Sequence, residues 1–410
     1  MDSQSRFNSI FSVLFLAAIF FLSGCAVGPD SFEPTSETLS TKKQKLHHSG
    51  PIAYASQYSG HSSIPHGIAG DRDLVFVTEP LLQRVVVVRR SNQQQIAVLP
   101  APSGGMLLPF AMRMKTFSRS GCNSTGRVVV LDSGGFPSPT MPAIPRIYEY
   151  DYTFNRNTGA FQATLQRNLL INTVPIGFSE EITLGQNGDI FLTDSVLGSI
   201  WRILPDNSVV PGITPASFAP QDAIPQLGGC GFPQGVQVDG IDFALPGGFA
   251  PGVGSMTTNS THLFFGNTCT GGVYKVPLSV FTDNRAPHLR AADITVVSAR
   301  PSNVAAEALK GLNFNKYNCH DKYLYATDAL QLQVIRINIQ TGARQVVVKD
   351  NFLLNFPVAA VFLPSRRRFS FGSELYVVSD QEHRLAALNA ALTEDIFQTP
   401  FLVTKVKIYR

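Results

Sequence analysis

One element recurs six times along this chain, and that recurrence constrains the fold more than any single motif. Each copy is a run of alternating or continuous apolar residues, then an acid or Asn, a short loop, and a second apolar run. The copies are LVFVTE-PLLQ-RVVVV with its acid at Glu79, RVVVLD-SGG at Asp132, DIFLTD-SVLG-SIWRI at Asp194, HLFFGN-TCTG-GVYKV with Asn267, KYLYATD-ALQL-QVIRI at Asp328 and ELYVVSD-QEH-RLAAL at Asp380. Six hairpins spaced about 60 residues apart predict an all-β fold, a six-bladed β-propeller over residues 59–410. Each blade then buries both faces against its neighbours, and the closed ring leaves no open sheet edge. FLVTKVKIYR (401–410) alternates as a strand should, and IAYASQY (52–58) can supply the strand that joins the two ends of the chain.

Shorter apolar runs upstream of the hairpins read as the innermost strands: HGIAG, FAMRM, EEITL, GVQV and VAAVF. Long amphipathic helices are missing, and NVAAEALKGL (303–312) is the best helical candidate. The acid that ends each hairpin strand reads as a structural device, because a strand-end carboxylate accepts backbone N–H bonds from the tight loop that follows.

The first 25 residues read as an address rather than as part of the fold. IFSVLFLAAIFFL, from Ile10 to Leu22, carries no charge and is shorter than the ~20 residues of a membrane-spanning helix, as a signal-peptide core would be. Leu22-Ser23-Gly24-Cys25 resembles a bacterial lipobox, so Cys25 is either lipidated as the mature N-terminus or lost with an ordinary secretory signal. Residues 26–58 read as a polar tether. The expectation is an extracytoplasmic protein whose one route to a membrane is that N-terminal lipid.

Export changes how the cysteines are read. Cys122, Cys230, Cys269 and Cys319 remain, without any CxxC spacing for structural zinc. Cys230 precedes a strand taken as innermost, and Cys269 follows the second strand of the same blade. Those two points meet at one sheet edge, so a Cys230–Cys269 disulfide is expected and Cys122 and Cys319 stay unassigned. Charged residues are only 15% of the chain, against roughly 25% in an average soluble protein. The net charge of +4 is spread without a basic stripe apart from Arg366, Arg367 and Arg368, read as a solvated turn. Nucleic acid is therefore not an expected partner. A monomer is expected.

The order of the pieces resembles the major royal jelly/yellow family of secreted six-bladed propellers. LVFVTEP is similar to that family's first blade, GRVVVLDSG with PRIYEYD to its second, HLFFGNTCTGGVYKVPLSVF to its fourth, and FPVAAVF with ELYVVSDQEHRL to its last. DIFLTDS and LYATDA also resemble the strand-turn-strand pattern of the SMP-30/gluconolactonase group, whose members hold a divalent metal on the propeller axis. The corresponding axial positions here are His66, Phe110, Glu180 or Glu181, Gln234, Lys310 and Pro357. They offer too few oxygens for calcium, which takes six to eight. No cofactor is therefore expected, with a divalent metal such as calcium as the alternative.

No GxSxG, HExxH, P-loop or GxGxxG motif is present. The leading expectation is a small organic ligand held at the axial mouth by His66, Glu180, Gln234 and Lys310 among Phe110, Phe178 and Phe232. A metal-dependent lactonase or esterase of the SMP-30/gluconolactonase kind is one alternative, and a structural or protein-interaction propeller is the other. Whether the chain is an enzyme stays open at this point.

Overall fold

The computed structural model describes residues 55–61, 63–136, 143–230, 235–245, 251–317, 322–366, 373–386 and 388–408. The segments read as signal peptide and lipobox, including Cys25, lie outside the described residues, as do Gln234, Phe232, Cys319, Arg367 and Arg368. Six four-stranded antiparallel sheets form the blades of a β-propeller. Blade one runs from its inner strand Ile68–Gly70 through Leu74–Glu79 and Arg84–Arg89 to Gln94–Val98. The inner strands of blades two to six are Pro109–Ser120, Ile182–Leu184, Val253–Thr258, Leu309–Phe314 and Pro357–Pro364.

The recurring elements are the second and third strands of blades one, three, four and five, and the second strand and following turn of blades two and six. Their continuous apolar character follows from burial on both faces. In Leu74–Glu79, Leu74 and Phe76 pack against Met112, Val130 and Tyr148 of blade two, while Val75 and Val77 pack against Tyr376 and Val378 of blade six.

Blade six closes the ring with both ends of the described chain. Its strand Phe401–Lys407 is bonded on one side to Ser373–Ser379 and on the other to Ala55–His61, the outermost strand. That first strand begins inside the segment read as tether.

Two local expectations are corrected. GVQV is not the inner strand of blade four. Val236–Val238 pairs with Ile241–Phe243 in a separate hairpin, inserted in the connection between blades three and four. The expected helix at 303–312 is a loop entering the inner strand Leu309–Phe314 of blade five. Pairing of Leu309 and Lys310 with Asp328 and Thr327 overrides the helix propensity of the Ala-rich run.

Cys230 and Cys269 are disulfide-bonded with Cα atoms 5.8 Å apart. The bond ties the inserted segment to the loop after the second strand of blade four. Farther along the insertion, Asn389 accepts from the Ala244 amide and donates to the Asp242 carbonyl, and Arg384 pairs with Asp239 at 2.7 Å. The insertion is thus held at blade four by a covalent bond and at blade six by hydrogen bonds. Cys122 is an exposed free thiol.

A candidate ligand site at the axial mouth

Inner strands begin at the mouth end of the axis, so residues just before or at each start converge there. His66 lies two residues before the inner strand of blade one, Glu180 two before that of blade three, and Lys310 second in that of blade five. A small void lined by His66, Phe110, Glu180, Gly254, Lys310 and Val358 shows that all six blades meet at this point. Its volume of about 10 Å³ is close to that of one water.

Two backbone features make the convergence sterically feasible. A Cβ on Gly254 would lie 2.7 Å from Glu180 Oε2, so only glycine lets blade four approach that carboxylate. Gly311 has φ of +55° at a register shift in the inner strand of blade five, a bulge next to Lys310.

The neighbouring Glu181 turns to another partner. Its Oε2 lies 2.8 Å from Arg113 Nη2 of blade two, an ordinary salt bridge. Phe110 and Pro357 stand where the sequence placed them, at the starts of inner strands two and six.

The structure adds two residues to the axial group that sequence reasoning missed as site residues, Asp380 and Glu382. Both come from the turn after the second strand of blade six. Asp132, Asp194, Asn267 and Asp328 behave as structural caps, each accepting two or more backbone N–H bonds. Asp380 caps the Glu382 amide through one oxygen, but its Oδ2 is buried without a hydrogen-bond partner among the described residues. It lies 3.9 Å from His66 Nε2. Glu382 Oε1 is 3.7 Å from the same nitrogen, and Oε2 is 3.4 Å from Lys310 Nζ.

Above the axial void is a larger cavity of about 330 Å³, lined by His66, Asp380 and Glu382 and walled by Phe110, Phe136, Leu81, Leu82, Leu385 and Phe397. His66 stacks on Phe110 with ring centroids 3.5 Å apart, and the two rings line both the mouth and the axial void.

The hydrogen-bond chemistry of the mouth is fixed by one carbonyl. His66 Nδ1 lies 3.2 Å from the Phe110 carbonyl oxygen, which can only accept, so Nδ1 carries the proton. Burial and the Lys310 charge lower the His66 pKa to about 4, so the ring is neutral at pH 7 and Nε2 is a bare acceptor.

Burial opposes ionisation of Glu382, but the Lys310 ammonium and His66 hold its pKa below the ordinary value. Burial and the Glu382 charge push Asp380 well above its ordinary value, so Asp380 keeps its proton more readily than Glu382. Burial also disfavours the Lys310 ammonium, but Glu382, Glu180 and Asp380 more than offset that and raise its pKa. Glu180, buried and only partly compensated by Lys310, is raised to about 7.

The Glu180 shift gives a stability prediction with a definite sign. A carboxyl whose folded pKa exceeds its ordinary 4.5 stabilises the fold below that value, and the contribution is lost as pH rises through about 7. At pH 8 wild-type Glu180 should therefore cost about 3 kcal/mol relative to a residue that cannot ionise. Glu180→Gln should melt above wild type at pH 8 and level with it at pH 4. A melting difference that is the same at both pH values would contradict the assignment.

His66 Nε2 and one oxygen each of Asp380 and Glu382 lie within 4.8 Å of one another, a donor set that could hold a divalent cation. One imidazole and two carboxylates suit zinc or manganese better than calcium. Lys310 already neutralises Glu382, and a doubly charged ion beside it would meet its repulsion.

No family model matches the sequence, and no curated protein matches it. Solved structures similar in fold include a catalytically inactive virginiamycin B lyase from Staphylococcus aureus with quinupristin, at 11% identity and TM-score 0.45, covering 87% of this chain and 99% of that one. A luciferin-regenerating enzyme matches at 11% identity and TM-score 0.48, over 87% of this chain and 95% of that one. A putative oxidoreductase (glucose dehydrogenase) from Thermus thermophilus matches at 12% identity and TM-score 0.47, over 86% and 99%. The protein is a six-bladed β-propeller, and its propeller neighbours carry varied functions.

Proposed function

We propose that the chain is an exported propeller that binds a small amphipathic organic molecule, bearing an amine or hydroxyl group, at its axial mouth. The observation that carries this reading is a pair of buried polar atoms on residues that line an apolar cavity, His66 Nε2 and Asp380 Oδ2, neither with a hydrogen-bond partner among the described residues. Buried polar atoms in native proteins are nearly always bonded, and the bare His66 Nε2, 3.9 Å from the Asp380 carboxyl, calls for a donor beside it. An ammonium meets that need best, because it can donate to the imidazole and be neutralised by Asp380 as that group loses its proton. The phenylalanine and leucine walls then take an aromatic or aliphatic body. The yellow-like blade order, the leader segment and the disulfide support an extracytoplasmic binding protein of this kind. Among the described residues, no helix is long and apolar enough to cross a membrane.

The second reading is a metal-dependent hydrolase of the SMP-30/gluconolactonase kind, favoured by the compact His66, Asp380 and Glu382 set. A thermal-shift comparison separates the two. 2-Phenylethylamine should raise the melting temperature more than 2-phenylethanol, and 3-phenylpropionate should not raise it, since only ligand bound to the native state stabilises. Addition of EDTA should leave the amine effect unchanged. Asp380→Asn should weaken the amine by roughly 1–3 kcal/mol, the range for a hydrogen bond to a charged group. An effect that EDTA abolishes and zinc restores would favour the hydrolase.

A further inference from the structure

The opposite end of the propeller, where inner strands finish, carries a second cavity. The sequence reads as free of basic clusters away from Arg366–Arg368, but folding brings five distant arginines together. Arg72 is in the turn after the inner strand of blade one, and Arg89 ends that blade's third strand. Arg119 lies at the end of the inner strand of blade two, Arg156 follows its third strand, and Arg366 follows the inner strand of blade six. They line a cavity of about 230 Å³ together with Phe154, Ser91 and a single carboxylate, Asp73.

That carboxylate does not balance the site. Asp73 Oδ2 accepts from Ser124 Oγ at 2.7 Å and stands 3.8 Å from Arg156 Nε and 4.0 Å from Arg119 Nε. Arg156 Nε is buried and has no hydrogen-bond acceptor among the described residues. The guanidiniums are held by the backbone. Arg89 donates to the Arg156 carbonyl at 2.8 Å with its head 5.6 Å from the centre of the Phe154 ring, Arg72 donates to the Arg366 carbonyl at 3.2 Å, and Arg366 donates to the Arg90 carbonyl at 3.0 Å. Anchoring of this kind fixes like charges that would otherwise spread apart, with their forks gathered around one cavity.

We propose that this cavity is a binding site for a tetrahedral oxyanion, phosphate or sulfate, either free or as the head group of a small ester. Planar guanidinium forks match such oxyanions in pairs, and several together supply the charge a dianion needs. The volume is below the roughly 300–1,000 Å³ of ordinary organic-ligand pockets, which fits an anionic head better than a large body. The site lies at the opposite end from the axial mouth and does not depend on the amine reading.

Isothermal titration and thermal shift on the full mature chain test the site, at constant ionic strength set with chloride. Inorganic phosphate or sulfate should bind saturably at one site per chain and raise the melting temperature beyond chloride. Phenyl phosphate binding at least about tenfold tighter than inorganic phosphate would assign an ester head group, and equal binding would assign the free anion. Arg156→Gln should weaken the anion about tenfold or more, the loss expected for a charged hydrogen bond. Arg119→Gln, on the exposed rim, serves if the first variant does not fold, and it should weaken binding without lowering the melting temperature in chloride. An anion effect no larger than that of chloride, or one unchanged in the folded variants, would overturn the proposal.

Discussion

Removing residues 401–410 should abolish cooperative unfolding. Phe401–Lys407 is an interior strand of blade six, bonded on both sides, so its loss strips the N-terminal strand Ala55–His61 of its partner as well. Phe401, Leu402, Val403 and Val406 are all buried. At 1.5–3 kcal/mol per buried side chain their loss amounts to about 6–12 kcal/mol, comparable with the whole stability of a typical domain. The ring would also open between blades one and six and expose strand edges. Calorimetry of the truncated chain should show no single sharp transition. A truncated chain that melts like the full-length protein would mean that closure is not what holds the ring.

Lys310→Met should be the most damaging single substitution at the axis. Lys310 is the cation that faces Glu382, Glu180 and Asp380 together. Breaking a buried charge network by removing one partner commonly costs about 3–5 kcal/mol, because the remaining charge stays buried and uncompensated. The midpoint of urea unfolding should fall accordingly at pH 8, where Glu180 is ionised. Adding Glu382→Gln to the variant should restore part of the loss, since the double change removes both members of the pair. Equal stability of Lys310→Met and wild type would show that these charges are solvated rather than coupled.

The blades are legible in the sequence because each second strand is apolar on both faces and ends at an acid or Asn, which in five of the six caps the following turn and in blade one pairs with His61 and Arg84 instead. Two requirements of the same segment, burial and a tight turn, print the same pattern six times. The inner strand of blade four was not legible for the opposite reason. GVGSMTT is rich in glycine, serine and threonine, whose small side chains allow close approach to Glu180 at Gly254 and bond the Leu309 and Leu184 carbonyls at Ser255 and Thr258, so its hydropathy is weak. GVQVDGIDF upstream, an inserted hairpin, has the stronger strand signal. His66, Glu180 and Lys310 were found by counting back from inner strands, and the structure brings them to one axial group. Asp380 reads in the sequence as one more cap, and nothing there marks Glu382 as an axial residue. The sixth hairpin is unlike the others in carrying an acid two residues beyond its cap, but the sequence does not show that this turn folds inward. That depends on Gln381 in a left-handed conformation with φ of +57°. The arginine cavity is not legible for a simpler reason: its five members lie at strand ends and turns spread over three blades.

The central claim is that a donor group is held at the mouth between His66 Nε2 and the Asp380 carboxyl. Calorimetric titration of the protein with 2-phenylethylamine, repeated between pH 6 and pH 8 in buffers of different ionisation enthalpy with EDTA present, tests it most directly. An ammonium beside the Asp380 carboxyl, whose burial and Glu382 neighbour favour its protonated form, and above half-protonated Glu180 should drive off protons, so binding should tighten as pH rises and release protons at pH 7. Binding that is absent, independent of pH, or dependent on added divalent metal would contradict the account.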